Sequence, residues 1–516
     1  MTTNSSSKYN DIISKSVLIQ SGSPAVYQLK PKKEKIGTLT RMTLGEKDVN
    51  KTNRTILLVG ETGTGKSTLI NTLVNYTMGV KWEDDVWFQI VEDEQRSQSE
   101  SQTSDVIVYE IFGFEDKTLP YSLTIINTPG YGDTRGIEQD DIISQRLFDL
   151  FRSEDGVHEI NVVGLVLKAT ESRLNDRLSY IFNSVVSLFG KDVEKNIVAL
   201  ITHSNGRKPK NVLKTLEDAN IKCATDEKNQ PVYFLFDNCQ DEDRTEDTEY
   251  LKHADKISTK GLRQFTDFLE KTKPQKLKTT VDVLNSRIRL TACIQNLKER
   301  VEFIELKQKE IQQTEEALKK YEQEMKNNEK FTVEVDEVYK DKQPIDGGMW
   351  WLVFYEAAVC CTVCEENCHY PGCTMAWKPG HCEVMKWGHC TSCTRKCPVS
   401  DHVKEKWIYV NKTRKVQETS EDVKEKNEKN KAERERGRDL KKETEELQKD
   451  KDQWLEESFQ YVVRLEQIAL NTDSLSTLVH LDFLIEKMKE KGDTEKVQKL
   501  EEMKRRVDEG TRAALR

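Results

Sequence analysis

Gly60-Glu61-Thr62-Gly63-Thr64-Gly65-Lys66-Ser67 sets two glycines four residues apart and follows them with Lys and Ser, the spacing of a phosphate-binding loop. Glycines let the main chain wrap a phosphate chain, so that several N–H groups and a helix N-terminus point at the negative charge. Gly60, Thr62, Gly63, Thr64, Gly65 and Thr68 are the expected cradle. The Lys66 ammonium would meet the terminal phosphates, and the Ser67 hydroxyl the Mg2+ that bridges them. The flanks suit the motif: Thr55-Ile56-Leu57-Leu58-Val59 reads as a buried strand, and Thr68-Leu69-Ile70-Asn71-Thr72-Leu73-Val74 carries apolar residues at helical spacing. A nucleoside triphosphate with Mg2+ is the expected ligand.

Three further stretches follow candidate strands, where ligands of an open α/β sheet bind. The first is Asn127-Thr128-Pro129-Gly130. In guanine-nucleotide switches an Asp-x-x-Gly at this place reaches the Mg2+ shell through its acid, and the glycine N–H meets the γ-phosphate. Asn127 replaces the acid and gives up a full charge of attraction for the metal. The polar segment 97–104 would supply a threonine to Mg2+, with Thr103 as the candidate. The second stretch, Thr202-His203-Ser204-Asn205-Gly206, offers Asn205 where Asn-Lys-x-Asp would read guanine with a carboxylate, and His203 to stack on a purine. Asp237-Asn238, after the last strand, would touch the base from the other side.

Nine of the twelve cysteines fall between 360 and 397, with His369, His381, His389 and His402 among or just after them. Two clusters stand out by spacing: Cys361, Cys364, Cys368, His369 and Cys373, then His389, Cys390, Cys393 and Cys397. A Cys-x2-Cys hairpin presents two thiolates at tetrahedral geometry to one ion, so about two Zn2+ are expected. Disulfides are the alternative in an oxidising compartment, and an iron–sulfur cluster would leave the histidines unexplained. Cys360 or Cys382 is a candidate spare.

The elements that must position these groups read as an α/β domain over 51–274: strands at 55–59, 105–112, 122–126, 161–168, 197–202 and 232–236 alternate with helices at 66–78, 137–152, 176–189, 209–218 and 248–271. Residues 1–50 read as an edge strand or a lead-in arm. Beyond Lys273-Pro274, Ile294, Leu297, Val301, Ile304, Ile311 and Leu318 recur at coiled-coil spacing, predicting a long helix over 275–330. The cysteine-rich module occupies 331–403. The Lys/Glu-rich run over 404–470 reads as a solvated helix joined by Glu–Lys pairs, making an antiparallel stalk with the preceding helix, and 471–516 as terminal helices that fold back on the first domain.

The 516 residues exceed one core, and a net charge of −9 gives no reason to propose nucleic acid or an anionic membrane surface as partner. Residues 1–7 lack the apolar core of a signal peptide. The apolar run from Met349 to Cys361 carries Glu356 and is too short to span a bilayer. A cytoplasmic location is expected.

Gly60 to Ser67 followed by Asn127-Thr128-Pro129-Gly130-Tyr131-Gly132-Asp133 resembles the septin group. Thr202-His203 and Phe236-Asp237-Asn238 resemble the immunity-associated (GIMAP-type) and chloroplast import-receptor GTPases of the same superfamily, as does 169–190 with Arg173 and Phe189-Gly190. The likeness covers about 220 residues. It implies a GTPase that pairs with a second copy across its nucleotide face, with GTP and GDP controlling assembly. Carried onto this chain, it gives Lys66 to the phosphates, Ser67 and Thr103 to Mg2+, Gly130 to the γ-phosphate, and His203 with Asn238 to the base. No glutamine follows Gly130 to orient a water, so hydrolysis is expected to be slow unless a partner contributes a group. Two readings stand beside this one: a scaffold with a degenerate nucleotide site that acts through its zinc module and helices, and an ATP-hydrolysing P-loop enzyme.

Overall fold

Residues 55–59, 162–167 and 197–201 are buried along their whole length, the pattern of strands covered on both faces. They lie at the centre of an eight-stranded sheet in the computed structural model, which describes every residue except 1–5, 37–38, 93–104, 131–136, 171–175, 246, 325–331, 346–356, 371–372, 374–375, 377, 420–439, 472–474 and 506–516. The strand order is Tyr233–Leu235, Ile197–Thr202, Val162–Lys168, Asn53–Val59, Ser122–Asn127, Ile107–Ile111, Leu39–Leu44 and Lys32–Ile36. The first five run parallel; Ile107–Ile111 is antiparallel to Ser122–Asn127, and Lys32–Ile36 to Leu39–Leu44.

Asn53–Val59 pairs with Val162–Lys168 on one side and Ser122–Asn127 on the other, so the loop after Val59 opens at the point where the chain order reverses. The helix Lys66–Met78 leaves that loop and ends at Gly79, whose φ of 76° is a left-handed cap. The helices Ile137–Arg152 and Thr248–Lys271 have the bounds that the apolar spacing predicts, and Asp176–Val186 and Lys210–Asp218 lie within theirs. The first fifty residues are more than an arm: Leu39–Leu44 and Lys32–Ile36 lengthen the main sheet, and Val17–Gln20 and Ala25–Gln28 form a small sheet with Val86–Gln89.

The chain divides into two compact units, Met1–Leu284 with Glu466–Leu478 and Arg505–Arg516, and Asn285–Leu465 with Val479–Lys504. In the first, Leu470 N–H donates to Phe189 O at 2.8 Å and Ala469 bridges Gly190.

In the second unit, the helix Lys278–Glu324 buries Ile294, Leu297 and Ile304. The same helix grips the cysteine-rich module with polar side chains: Asn296 donates to Ser392 Oγ at 2.5 Å, and Arg300 meets both oxygens of Glu366 at 2.8 Å. Next to the cysteine-rich module, where the charged run begins, the expected helix gives way to a β-ribbon. Thr332–Pro344 pairs antiparallel with Trp407–Thr419 over its full length. The Lys/Arg-rich start of the charged run is therefore strand, not helix. Trp407, Ile408, Tyr409 and Val410 favour a pleated surface, and the charges pair across the ribbon, Arg414 with the opposite Glu337 and Lys412 with Asp341, both at 2.6 Å. Helix resumes at Leu440–Ile468, where Trp454, Phe459, Val462 and Leu465 are buried. The helices Leu475–Lys491 and Thr494–Arg505 belong largely to this unit rather than to the first; Lys496 binds Glu456 at 2.6 Å, and His480 lies 3.2 Å from the Thr291 hydroxyl. No helix among the described residues is long and apolar enough to cross a membrane.

Candidate nucleotide site and cysteine-rich centre

The loop 60–65 is built from close approaches that a side chain would block. A Cβ at Gly60 would strike the Val166 carbonyl, and Gly65 opens the helix at φ 85°. Inside the loop the Lys66 ammonium is buried and donates to the carbonyls of Gly60 and Glu61, each at 2.9 Å. Burial pulls its pKa down to about 7, with only a partial offset from Glu61. A buried cation held by neutral carbonyls is an anion site waiting for charge. Thr64 closes the turn by donating to Glu61 O at 2.9 Å, and Thr202 donates to Thr64 O at 2.7 Å and to Leu167 O at 3.1 Å.

Ser67 and Thr68 lie in the first turn of the helix, half-buried. Asn127 is fully buried at the end of its strand, in register with Leu58, and Thr128 Oγ1 donates to Leu58 O at 3.0 Å. Gly130 comes up against the loop: a Cβ there would strike Thr62, whose buried hydroxyl has no hydrogen-bond partner among the described residues. Gly60 to Ser67, Asn127 and Gly130 are thus brought together at one end of the sheet. Thr103 and Arg173 lie outside the described residues.

The two loops expected at the base are tied to each other, Ser204 N–H donating to Phe236 O at 3.0 Å. His203 is exposed, in the left-handed region at φ 50°. Asn205 does not present a free side chain: its Oδ1 accepts from Arg207 N–H at 3.1 Å in a local turn. Asn238 is held from behind. The Ser258 hydroxyl accepts from Asp237 N–H and donates to Asn238 Oδ1, both at 2.9 Å, and Asn238 Nδ2 is buried without a partner among the described residues. Burial raises the Asp237 carboxyl above its ordinary range. Thr202 and Ser258 are positioning residues that sequence reasoning missed. The legible signal for Ser258 is its companion Gly261 one turn on, where the helix Thr248–Lys271 presses onto the Leu235 carbonyl.

In the second unit every cysteine is free. Cys364 and Cys397 sulfurs stand 3.6 Å apart, and those of Cys373 and Cys382 3.8 Å, well beyond a disulfide bond of about 2.05 Å. Three groups bring donor atoms within 4.8 Å of one another: Cys361, Cys364, Cys393 and Cys397; Cys368, Cys390, Cys393 and His402; and His369, Cys373 and Cys382. The sequence clusters are therefore interleaved rather than separate. Strand pairing is the reason, since Cys361 on Ala358–Cys361 lies opposite His402 on His402–Glu405. His389 is not a member of any group. It is exposed beside buried Cys390 on the same short strand, where successive side chains face opposite ways. The same alternation turns Cys360 away from Cys361, toward Asn367 and Trp407, and makes it the spare, while Cys382 joins the third group. These side chains are chemically suited to hold metal ions.

The fold and the phosphate cradle define the first unit as a P-loop GTPase domain, and residues 50–145 match the Septin family model. No curated protein matches the chain by sequence. Among solved structures the chain is similar to Toc33 from Arabidopsis thaliana in complex with GDP and Mg2+, at 15% identity and a TM-score of 0.31, covering 44% of this chain and 89% of that one. It is similar to LeoA, a bacterial dynamin GTPase from ETEC, at 16% identity and a TM-score of 0.25 over 53% and 47%. Translation elongation factor SelB from Methanococcus maripaludis, in complex with a GTP analogue, follows at 12% identity and a TM-score of 0.24 over 43% and 35%.

Proposed function

We propose that this protein binds GTP with Mg2+, hydrolyses it slowly, and uses its nucleotide state to control pairing of its GTPase domains and the recruitment of protein partners by the second unit. The buried Lys66 ammonium in a glycine cradle, with its proton affinity depressed by burial, carries the reading. In the proposed complex Lys66 neutralises the β- and γ-phosphates, the N–H groups of the loop hold their oxygens, and Ser67 with Asn127 orders the Mg2+ shell, with Thr103 as a further ligand. Mg2+ would supply charge neutralisation on the phosphates. Gly130 would donate its N–H to the γ-phosphate, and its seat against Thr62 supports that role. Asn238 Nδ2, a buried donor without an acceptor, suits a purine ring acceptor, and exposed His203 offers a stacking surface.

The test is to extract nucleotide from the purified protein and identify it by chromatography, then to compete a fluorescent GTP analogue with GTP and ATP. GTP is expected to compete better, and Lys66→Ala to abolish binding. Equal competition would remove the guanine assignment, and no binding of either at millimolar nucleotide with Mg2+ would remove the function.

A second reading, a scaffold that binds nucleotide without turnover, is favoured by one observation: Asn205 spends its side-chain oxygen on Arg207 N–H and brings no carboxylate to the base. Phosphate release at high protein concentration separates the two.

A further inference from the structure

We infer that the cysteine-rich centre binds three zinc ions, two of them joined through the thiolate of Cys393 and the third held apart by His369, Cys373 and Cys382. Two of the groups share one member: Cys361, Cys364 and Cys397 converge with Cys393 on one point, and Cys368, Cys390 and His402 converge with Cys393 on another. Two tetrahedral ions have eight coordination positions, and seven residues fill them only when one donor serves both. A thiolate has the lone pairs to do so; an imidazole nitrogen has one.

Three independent observations fit metal rather than a packed apolar core. Zinc with bonds of about 2.3 Å to sulfur sets its sulfurs about 3.8 Å apart, and Cys364 to Cys397 measures 3.6 Å. Main-chain amides point at the sulfurs: Cys364 N–H at Cys361 Sγ (3.3 Å), Ser392 and Cys393 N–H at Cys390 Sγ (3.2 and 3.3 Å), and Cys397 N–H at Cys393 Sγ (3.1 Å). Such bonds stabilise sulfur as thiolate, the form that binds metal. His402 is oriented as a ligand: its Nδ1 is 2.9 Å from Pro398 O, which fixes the proton there, and its buried Nε2 has no hydrogen-bond partner among the described residues. Six thiolates against two dications leave an excess of negative charge, which the amides offset.

The third group has its own geometry. Cys373 and Cys382 sulfurs are 3.8 Å apart, the tetrahedral edge, and His369 Nδ1 is 3.1 Å from Cys382 Sγ. Glu383 Oε2 stands 3.4 Å from the same nitrogen. Glu383 is not one of the three donors that lie within 4.8 Å of one another, and it braces the His369 ring from beside the group. All four are buried.

The test uses the full chain, dialysed against zinc-free buffer. Elemental analysis is expected to find three zinc ions per chain. After replacement with 113Cd, two of three resonances should be split by coupling through the shared sulfur, and the third should be a singlet. Cys373→Ser is expected to lose one ion and the singlet while keeping the coupled pair; Cys393→Ser should abolish the coupling. Should either variant fail to fold, the metal count and the spectrum of the unaltered protein still decide. Fewer than three ions, or three uncoupled resonances, would overturn the inference.

Discussion

The hydroxyl of Thr202, at the end of one strand, donates at 2.7 Å to the main-chain carbonyl of Thr64 in the phosphate loop. The bond fastens the segment that leads to the base to the segment that holds the phosphates. Thr202→Val keeps the shape and removes the donor, leaving a buried carbonyl short of one partner. A loss of about 1 kcal/mol, roughly fivefold in nucleotide affinity, is expected, with the fold intact by circular dichroism. Titration calorimetry measures it, and an unchanged affinity would deny the coupling.

Nucleotide binding should take up a proton above neutral pH. Free, Lys66 titrates at about 7 because burial penalises its charge; a bound triphosphate would restore the charged form. Affinity is therefore expected to be level below pH 7 and to fall as pH rises through that value, since the neutral amine must first be protonated. Burial has the opposite consequence for the empty fold. Between about 7 and the ordinary lysine value of 10.5 the unfolded chain holds more protons, so stability rises with pH there. Calorimetry in buffers of different ionisation enthalpy reads the proton uptake directly.

Asn127 is fully buried where a carboxylate would strengthen metal binding. Asn127→Asp is expected to tighten Mg2+ in the nucleotide complex by about tenfold or more and to lower the melting temperature of the metal-free protein, because burial penalises the added negative charge. Thermal melts with GTP across a Mg2+ series test both signs. A variant insensitive to Mg2+ would place Asn127 outside the metal shell.

Removing metal with a strong chelator should dismantle the centre around Cys361, Cys390 and Cys393, where donor atoms crowd within 4.8 Å and folding depends on the ion. The expected readout is loss of amide protection over 358–405 in hydrogen exchange, with the strands Asn53–Val59 and Ser122–Asn127 still protected. Retained protection over 358–405 would show a centre that folds without metal.

The phosphate loop was legible because its chemistry is local: glycine spacing, Lys66 and Ser67 act within eight consecutive residues, and their strand and helix follow from short-range apolar pattern. Asn238 was recognisable as a candidate base contact by its place after a strand. Its support was not, because Ser258 arrives from a helix twenty residues on. Likewise the start of the charged run after Lys404 has the composition of a solvated helix, and only pairing with Thr332–Pro344 makes Trp407–Thr419 a strand.

From composition and spacing alone, then, came the nucleotide-binding class, the mainly parallel sheet and a metal-suited cysteine module. Tertiary structure decided which cysteines stand together, turned His389 outward and brought His402 in. Residue type and spacing are carried by the chain itself, whereas a shared donor such as Cys393 exists only once strands distant in sequence have been laid side by side.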